Sequence, residues 1–377
     1  MKKVIHLIPT MNIGGAETMV KDYALLMNKE IFEVKIISID KSYHSANEKL
    51  LEKAGIPVVH LTELHYSSDR KLNIFQKVIR SLARYYDLYK IITEEKPDII
   101  HAHLYLGNYL KFFSMKKRGI KLLYTVHNVP EHYYDVTGKD KRKYRAYKEI
   151  KRLLQKEDLT LIALHDGMNQ ELRSLFDTEN VVTVNNGVNL EKFHKELYNR
   201  QEVRTVLGMN ENTFLVGHIG RFHEQKNHEF IIRVFEEVYK KNKNAHLLLI
   251  GVGELLEKIK AQIQSKNLSE CVTILHNRND IPQLIYAMDV FLFPSKWEGF
   301  GNVLIEAQSM GVPCVISDRV PAYAVLNENV SVLTLDTSVE QWADVVLHTG
   351  YSDVSDDVKT YDMKSSVKQL ERIYLNE

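Results

Sequence analysis

Short apolar segments alternate with segments of helical periodicity along almost the whole chain, and this alternation constrains the fold more than any other feature. The apolar segments are rich in Leu, Ile and Val, and the patterns at 16–27 and 72–94 are long enough for amphipathic helices. Strands separated by such helices pair in parallel through right-handed crossovers and form a sheet covered on both faces. The first series of predicted strands lies at 4–9, 32–39, 58–61, 98–101, 122–126, 160–164 and 181–184.

The alternation stops in a polar, turn-rich stretch at 185–212 and then restarts. A chain of 377 residues exceeds the size at which one hydrophobic core keeps growing, so two series predict two doubly wound α/β domains. We predict domains at 1–188 and 189–358, followed by a C-terminal helix within 359–377. The second series of predicted strands lies at 214–219, 246–250, 272–275, 290–293, 313–316 and 330–335.

Ligands of open parallel sheets bind outside the carboxyl ends of the strands, so the loops that follow the strands are the candidate site. Most of the unusual polar clusters of the sequence fall in such loops. The loops concerned are Thr10–Gly15, His101–Asn108, His127–His132, Gly220–Asn227, Gly251–Glu254 and Ser295–Asn302.

The composition is that of an ordinary folded enzyme. Cys271 and Cys314 each lie in an apolar run, which indicates core residues in a reducing compartment. The N-terminus has too few consecutive apolar residues for a signal-peptide core, and no apolar stretch reaches the roughly 18 residues of a membrane span. We therefore expect a cytoplasmic protein.

The most informative motif runs from Glu298 to Glu306. A predicted strand precedes it, and a helix is predicted over 302–310 with Gly311 at its C-terminal cap. With Glu298 in the turn and Glu306 on the helix, both carboxylates can reach one site, and the first-turn amides form an anion site for a phosphate. On spacing alone, two surface glutamates are the simpler interpretation.

A cationic loop, Gly220–Asn227, follows the first strand of the second series. Arg221 and Lys226 would lie at the carboxyl end of that strand, where they could neutralise a diphosphate leaving group. Two cations in a loop are also common as plain surface charge. Their position on a βα unit beside the Glu298 motif favours the ligand-binding interpretation.

The first domain offers a pair of glycines and several histidines. Gly14 and Gly15 lack the G-x-G-x-x-G pattern of dinucleotide sites, yet they permit close approach of a ligand to the backbone. His101 and His103 end the fourth strand and His127 follows the fifth, where they could act as acid, base or hydrogen-bond partners. A zinc site from the first two lacks a third ligand of characteristic spacing. For any single histidine, a structural role is the simpler interpretation.

Several motifs are absent from the sequence. No Asp-x-Asp occurs, so a metal-held diphosphate is not predicted, and the cations and helix amides would carry that charge. The chain also lacks the G-x-x-x-x-G-K-[ST] phosphate loop and the G-x-S-x-G nucleophile turn. Kinase-like ATPases and α/β-hydrolases therefore lose support.

Positive charge is concentrated in the first half of the chain. Residues 1–200 carry a net charge of +8 and residues 201–377 carry −7, within an overall charge of +1. The excess forms one cluster at 116–118 and another at 141–156. Such a patch attracts anionic lipid headgroups by about 1 kcal/mol per residue, or nucleic acid phosphates. A solvated helix face is the plainer alternative; we expect peripheral membrane contact and no nucleic acid partner.

Four segments together resemble the hallmarks of glycosyltransferase family 4, whose members are retaining enzymes with the GT-B fold. They are Glu298–Glu306, Gly220–Asn227, Gly14–Glu17 and Asn186–Asn189 with Phe193, and their order and spacing match along essentially the whole chain. The resemblance implies two facing Rossmann-like domains with an interdomain cleft. The acceptor would bind the first domain, the nucleotide sugar would bind the second, and the final helix would cross back onto the first.

The resemblance also implies a role for each matching residue. Arg221 and Lys226 would bind the donor diphosphate, and Glu306 the ribose hydroxyls. Glu298 and His127 would be the catalytic residues, close to the transferred sugar. The other implied residues are Gly15, which lets the first domain close over phosphate, the phosphate-binding amides of Phe300, Gly301, Asn302 and Val303, and Ile281 in the base-holding segment 279–281. The acceptor-side candidates are His103 and Asn108, which lie in the loop region that ends the fourth strand.

The expected activity is retaining transfer of a hexose-type sugar in the synthesis of a bacterial capsular polysaccharide or exopolysaccharide. The donor would be a nucleotide sugar, with UDP preferred over GDP, and the acceptor a saccharide or a polyprenyl-diphosphate-linked sugar at the inner membrane face. No metal or other cofactor is expected. The alternatives are a sugar-nucleotide epimerase or hydrolase on the same architecture, and a non-catalytic nucleotide-sugar-binding protein.

Overall fold

Two units, each built on a parallel β-sheet, make up the structure. This computed structural model describes residues 1–12, 14–63, 74–104, 107–110, 114–276 and 278–377, without the side chains of 74, 107 and 108. The first unit comprises Met1–Gly187 together with Met363–Glu377, and the second comprises Val188–Asp362.

The first unit is a doubly wound α/β fold. Its strands are β1 Lys2–Ile8, β2 Phe32–Ser38, β3 Val58–His60, β4 Ile99–His103, β5 Lys121–Thr125, β6 Thr160–Ala163 and β7 Val181–Thr183. Its helices up to residue 187 are α1 Gly15–Leu26, α2 Ala46–Lys53, α3 Ile74–Glu95, α4 Gly107–Leu110, α5 Pro130–Tyr133, α6 Lys141–Lys156 and α7 Asp166–Phe176. The strand order is β3-β2-β1-β4-β5-β6-β7. Because the chain moves outward from β1 in both directions, right-handed crossovers place α1 and α2 on one face and α3 and α6 on the other.

The second unit repeats this plan with six strands. They are β8 Phe214–Ile219, β9 Ala245–Ile250, β10 Val272–Leu275, β11 Val290–Phe293, β12 Cys314–Ser317 and β13 Val330–Leu333, in the order β10-β9-β8-β11-β12-β13. Its helices are α8 Arg200–Val206, α9 His228–Lys241, α10 Leu256–Ser265, α11 Ile281–Ala287, α12 Asn302–Ser309 and α13 Val339–His348. The predicted α/β class is confirmed, and the ends of the thirteen predicted strands are shifted by at most two residues.

The C-terminal helix α14, Met363–Leu375, belongs to the first unit. Ser366 donates from Oγ to the carbonyl of Asn185 at 2.6 Å, and the amide of Asn28 donates to Glu371 at 2.6 Å. Gly187 lies against the start of this helix so closely that a Cβ there would overlap the backbone of residue 363. The apolar face of α14 is buried through Met363, Val367, Leu370 and Tyr374.

We predict that Leu370→Ala destabilises the first unit, because Leu370 is fully buried and its truncation leaves a cavity. The expected loss in the free energy of unfolding is about 2–5 kcal/mol. Hydrogen–deuterium exchange should accelerate in β1 and β4 and stay unchanged in β8 and β11. Lys368→Ala, on the exposed side of the same helix, is the control and should change little. Unaltered exchange in β1 and β4 of Leu370→Ala would refute a stabilising role for α14.

Candidate active site

The loops that follow β8 and β11 are joined by hydrogen bonds, because these strands are neighbours in the second sheet. Asn227, in the left-handed region at φ 56°, donates from Nδ2 to the carbonyl of Pro294 at 3.1 Å. The amide of Lys296 donates to the carbonyl of Gln225 at 2.8 Å, and Gln225 Nε2 donates to the carbonyl of Trp297 at 3.0 Å. The cationic loop and the Glu298 turn therefore form one fixed assembly.

Lys226 and Glu298 form an ion pair within this assembly. Lys226 Nζ donates to Glu298 Oε1 at 2.6 Å, and the two side chains are only 16% and 6% exposed. Gln225 Nε2 lies 3.4 Å from the other carboxylate oxygen, and Lys226 Nζ lies 4.7 Å from the centre of the Phe293 ring. Either charge buried alone would be costly, so each holds the other in place.

Arg221 is in a different environment. Its side chain is 70% exposed and pairs with Glu254 at 3.1 Å, while Glu254 also faces His223 Nε2 at 3.5 Å. An exposed ion pair contributes little to stability, so Arg221 can exchange its carboxylate for a phosphate at small cost. Glu254 follows β9. Its loop lies tightly against the β8 loop, since a Cβ added at Gly253 would overlap the backbone of Phe222.

The helix predicted to present phosphate-binding amides begins at Asn302. Gly301 precedes it at φ 88°, a conformation that other residues rarely adopt, and no side chain caps the helix. Amides in the first turn of a helix, here at Asn302 and Val303, lie outside its internal ladder of hydrogen bonds, which is the geometry of an anion site. Phe300 is buried between the rings of Tyr323 and Tyr361, so only its backbone is available to a phosphate.

The two remaining nucleotide-side candidates lie at or near helix starts. Glu306 is half-buried on α12, the helix whose N-terminus forms the predicted anion site. Ile281 is half-buried as the first residue of α11. The segment before Ile281 is held by an ion pair in which Arg278 Nε donates to Asp280 at 2.8 Å, and residue 277 lies outside the described residues.

Two buried histidines beneath the cationic loop are neutral. Burial, aided by the nearby Lys226 charge, lowers the pKa of His228 to about 3. Burial holds the pKa of His218 well below its usual value, and its Nδ1 faces the carbonyl of Leu292 at 2.8 Å. Neither of these two rings therefore adds to the positive charge that Arg221 and Lys226 bring to the loop.

In the first unit, helix α1 begins at Gly15 and its N-terminus has no side-chain cap. A Cβ built on Gly15 meets no atom within 4 Å, whereas one on Gly14 would overlap the Glu17 carboxylate. Residue 13 lies outside the described residues. The packing of the described residues therefore does not require glycine at position 15.

His127 is half-buried after β5 and is backed by other histidines. His127 Nε2 lies 3.1 Å from His103 Nδ1, and His103 Nε2 lies 3.0 Å from His6 Nδ1. His103 is fully buried and both of its nitrogens face imidazoles. Both nitrogens of His103 are engaged within the unit in this structure, and its acceptor-side role stays a prediction. The side chain of Asn108 is outside the described residues.

His6 supplies the third imidazole that sequence spacing did not reveal. The ligand atoms of His6, His101 and His103 lie within 4.8 Å of one another, a grouping that could hold a metal ion. In this structure both nitrogens of His101 are engaged within the protein, since they face the Tyr374 hydroxyl and Thr125 Oγ1 at 2.6 Å each. Only the register of β1 and β4, which pairs His6 with His101, brings this cluster together.

Two family models and two curated relatives that match this chain are all described as glycosyltransferases. Residues 13–192 match the model described as Glycosyltransferase Family 4, and residues 199–348 match Glycosyl transferases group 1. The chain is 30% identical over 246 residues to the Escherichia coli UDP-Gal:alpha-D-GlcNAc-diphosphoundecaprenol alpha-1,3-galactosyltransferase, covering 64% of this chain and 63% of that protein. It is 24% identical to the Staphylococcus aureus capsular polysaccharide biosynthesis glycosyltransferase CapH, covering 100% and 99%.

Solved structures agree with the observed architecture. Anabaena HepE, crystallised with UDP and glucose, superposes with a TM-score of 0.78 at 19% identity over 100% of both chains. WaaG, a glycosyltransferase involved in lipopolysaccharide biosynthesis, gives 0.72 at 18% identity, also over 100% of both chains. At these identities the likeness shows the fold alone, which is the GT-B fold.

We predict that Lys226→Met lowers the free energy of unfolding of the second unit by about 3–5 kcal/mol, because it leaves Glu298 buried without its cation. Adding Glu298→Gln should restore much of the loss. Urea unfolding can be followed by tryptophan fluorescence, since both tryptophans, Trp297 and Trp342, lie in this unit.

The control is Lys296→Met, which removes an exposed pair with Glu224 at 2.9 Å. This change should cost about 1 kcal/mol or less. Equal losses in the Lys226→Met and Lys296→Met variants, or additive losses in the double variant, would contradict the role assigned to the buried pair.

Proposed function

We propose a donor, an acceptor and a reaction course for this chain, which belongs to the glycosyltransferases of family 4 that serve bacterial polysaccharide biosynthesis. The chain transfers a hexose-type sugar from a UDP-sugar to a saccharide or polyprenyl-diphosphate-linked acceptor, with retention at the anomeric carbon. Support for this donor and acceptor comes from the relatives: HepE binds UDP and UDP-glucose, and the Escherichia coli relative is named for UDP-Gal and a diphosphoundecaprenol-linked sugar.

The observation that carries the proposal is the assembly of Lys226, Glu298 and the α12 N-terminus on two adjacent loops. Departure of UDP places negative charge on the β-phosphate. Lys226 and the amides at the start of α12 are fixed donors for that charge, and the exposed Arg221 can add a further cation, so together they stabilise the transition state more than the ground state. In this proposal they act without a metal ion, which agrees with the lack of an Asp-x-Asp motif.

Glu298 acts on the positive charge that develops on the transferred sugar. As the bond from the anomeric carbon to the β-phosphate oxygen breaks, positive charge develops on the sugar ring. A carboxylate held by Lys226 and Gln225 stabilises that charge without attacking the carbon. The acceptor oxygen bonds to the anomeric carbon on the face that the phosphate leaves, and its proton passes to the departing phosphate.

We predict that Gly15→Ala lowers kcat/KM for the donor by about tenfold or more without changing the melting temperature. The free protein has room for the added methyl group, so the clash arises only when a phosphate lies against the start of α1. Gly350→Ala is a matched control, because a Cβ there also meets no atom within 4 Å. A normal kcat/KM in Gly15→Ala would contradict the phosphate contact.

The same assay separates the alternative activities. Glu298→Gln should reduce transfer by about 100-fold or more while the melting temperature still rises on addition of UDP. Rapid release of free sugar by the unmodified protein without acceptor would favour a hydrolase, and an isomerised sugar nucleotide would favour an epimerase. Donor binding with no turnover by any variant would favour a non-catalytic binding protein.

Membrane contact is the second part of the proposal, and it rests on an exposed apolar stripe along α3. The most exposed members are Phe75 at 77%, Tyr86 at 66% and Leu82 at 62%. Exposed apolar surface of this extent marks an interaction site in a water-facing protein. Among the described residues, no helix has the length and apolar composition needed to cross a bilayer. The whole stripe is Phe75, Val78, Ile79, Leu82, Tyr86 and Tyr89.

A basic residue of the 116–118 cluster contacts the end of this stripe. The Arg118 guanidinium lies 5.1 Å from the centre of the Tyr89 ring at the end of α3, and Lys116 pairs with Asp158, just beyond α6, at 2.7 Å. An anionic lipid surface satisfies both parts, since headgroups bind the cations and acyl chains receive the apolar side chains. The exposed cations of α6 are Lys141, Arg142, Arg145, Lys148, Arg152 and Lys156.

We predict that Leu82→Gln combined with Tyr86→Gln reduces co-sedimentation with vesicles containing anionic lipid, because it removes the apolar anchor. Lys148→Glu with Arg152→Glu should also reduce it and should make the remaining binding less sensitive to salt. Val206→Gln, which alters an 83% exposed residue of the second unit, is the control. If co-sedimentation depends neither on the anionic lipid content nor on the α3 substitutions, the proposal that this surface binds membranes is wrong.

A further inference from the structure

Three imidazoles in the first unit form a hydrogen-bonded chain that ends at His127. His6 Nδ1 lies 3.0 Å from His103 Nε2, and His103 Nδ1 lies 3.1 Å from His127 Nε2. We propose that His6 and His103 are positioning residues that fix which ring nitrogen of His127 carries the proton. The inference rests on the proposed function, because only there does His127 contact the donor sugar.

Two proton arrangements satisfy both hydrogen bonds, since each neutral imidazole carries one N–H. In the first, His6 and His103 each donate from Nδ1 towards the next ring, and His127 keeps its proton on Nδ1. In the second, His127 and His103 each donate from Nε2 in the opposite direction, and the proton of His6 lies on its Nε2. The state of His6 therefore determines whether His127 Nδ1 is a donor or an acceptor.

The chain is neutral because it is packed inside the unit. Burial lowers the pKa of His6 and of His127 to about 3. Burial and the neighbouring imidazoles hold the pKa of His103 well below its usual value. An added proton would place an imidazolium in this buried cluster, and burial disfavours that charge, so each of the three rings carries a single N–H.

The surroundings of His6 select the first arrangement. His6 Nε2 is buried and has no hydrogen-bond partner among the described residues. In the second arrangement this atom would be a buried N–H without an acceptor, which native structures rarely contain. In the first it is only an unpaired lone pair. His127 Nδ1 is then an N–H donor that can bond a sugar hydroxyl oxygen, and His127 does not act as a general base.

His101 provides a matched control within the same cluster. Its ring centre lies 4.2 Å from that of His103, so it is equally buried among the imidazoles. Its nitrogens face Tyr374 and Thr125 instead of the chain. A purely structural role for the cluster would make His101 and His103 equivalent, whereas the proposed role makes only His103 affect His127.

The test is ¹⁵N NMR of the full-length protein with labelled histidines, combined with transfer kinetics. The spectrum of the unmodified protein should show His6, His103 and His127 protonated on Nδ1. His103→Leu should leave His127 in a mixture of tautomers and lower kcat by about tenfold with the donor KM little changed. His103→Asn, whose amide can replace the Nδ1 donor, should partly restore both the single His127 tautomer and kcat. His101→Leu should leave the His127 tautomer unchanged.

An Nε2-protonated His127 in the unmodified protein would overturn the inference without any variant, as would full activity in His103→Leu. If the unmodified protein transfers no sugar from any sugar nucleotide, the proposed function fails instead, and the tautomer measurement still decides whether the chain of imidazoles is ordered as inferred.

Discussion

The ion pair between Lys226 and Glu298 is the constraint on which the candidate site depends. Both charges are largely withdrawn from water, and neither could remain there without the other. Their pairing fixes the loop after β8 against the loop after β11, and the Asn227 to Pro294 hydrogen bond extends the same contact. The start of α12 follows directly after Glu298 and Gly301, so this interaction helps to position the first turn of α12 relative to Lys226.

The fold could be predicted from local patterns because each strand is marked by a short apolar run and each helix by its periodicity. The alternation predicts each strand of the described residues to within two residues at either end, and Asn302 is correctly predicted as the start of a helix. Pairing between Lys226 and Glu298 is different, since 72 residues separate them. Spacing alone favoured surface glutamates, and only the rule that ligands bind at the carboxyl ends of neighbouring strands brought the two motifs together.

Other features could not be predicted, and the reasons are physical. His6 occupies the middle of a buried strand and carries no motif; it joins the other histidines only through the β1 to β4 register, a non-local property. The stripe on α3 has helical periodicity, which predicts an apolar face but not whether the fold covers it. Arg221 and Lys226 look alike in the sequence, yet one is exposed and the other nearly buried, because Glu254 and Glu298 follow different strands.

The two units differ in the kind of polar group that they offer, and the difference suits the proposed chemistry. The second unit places charged groups where a diphosphate would leave, and its own histidines stay neutral under the cationic loop. The first unit offers imidazoles that burial keeps neutral, together with empty space at Gly15. A neutral donor can orient a sugar hydroxyl without opposing the positive charge that develops on the ring, whereas an imidazolium beside that ring would raise the barrier. In the proposed reaction, a neutral His127 is therefore needed as much as a charged Lys226.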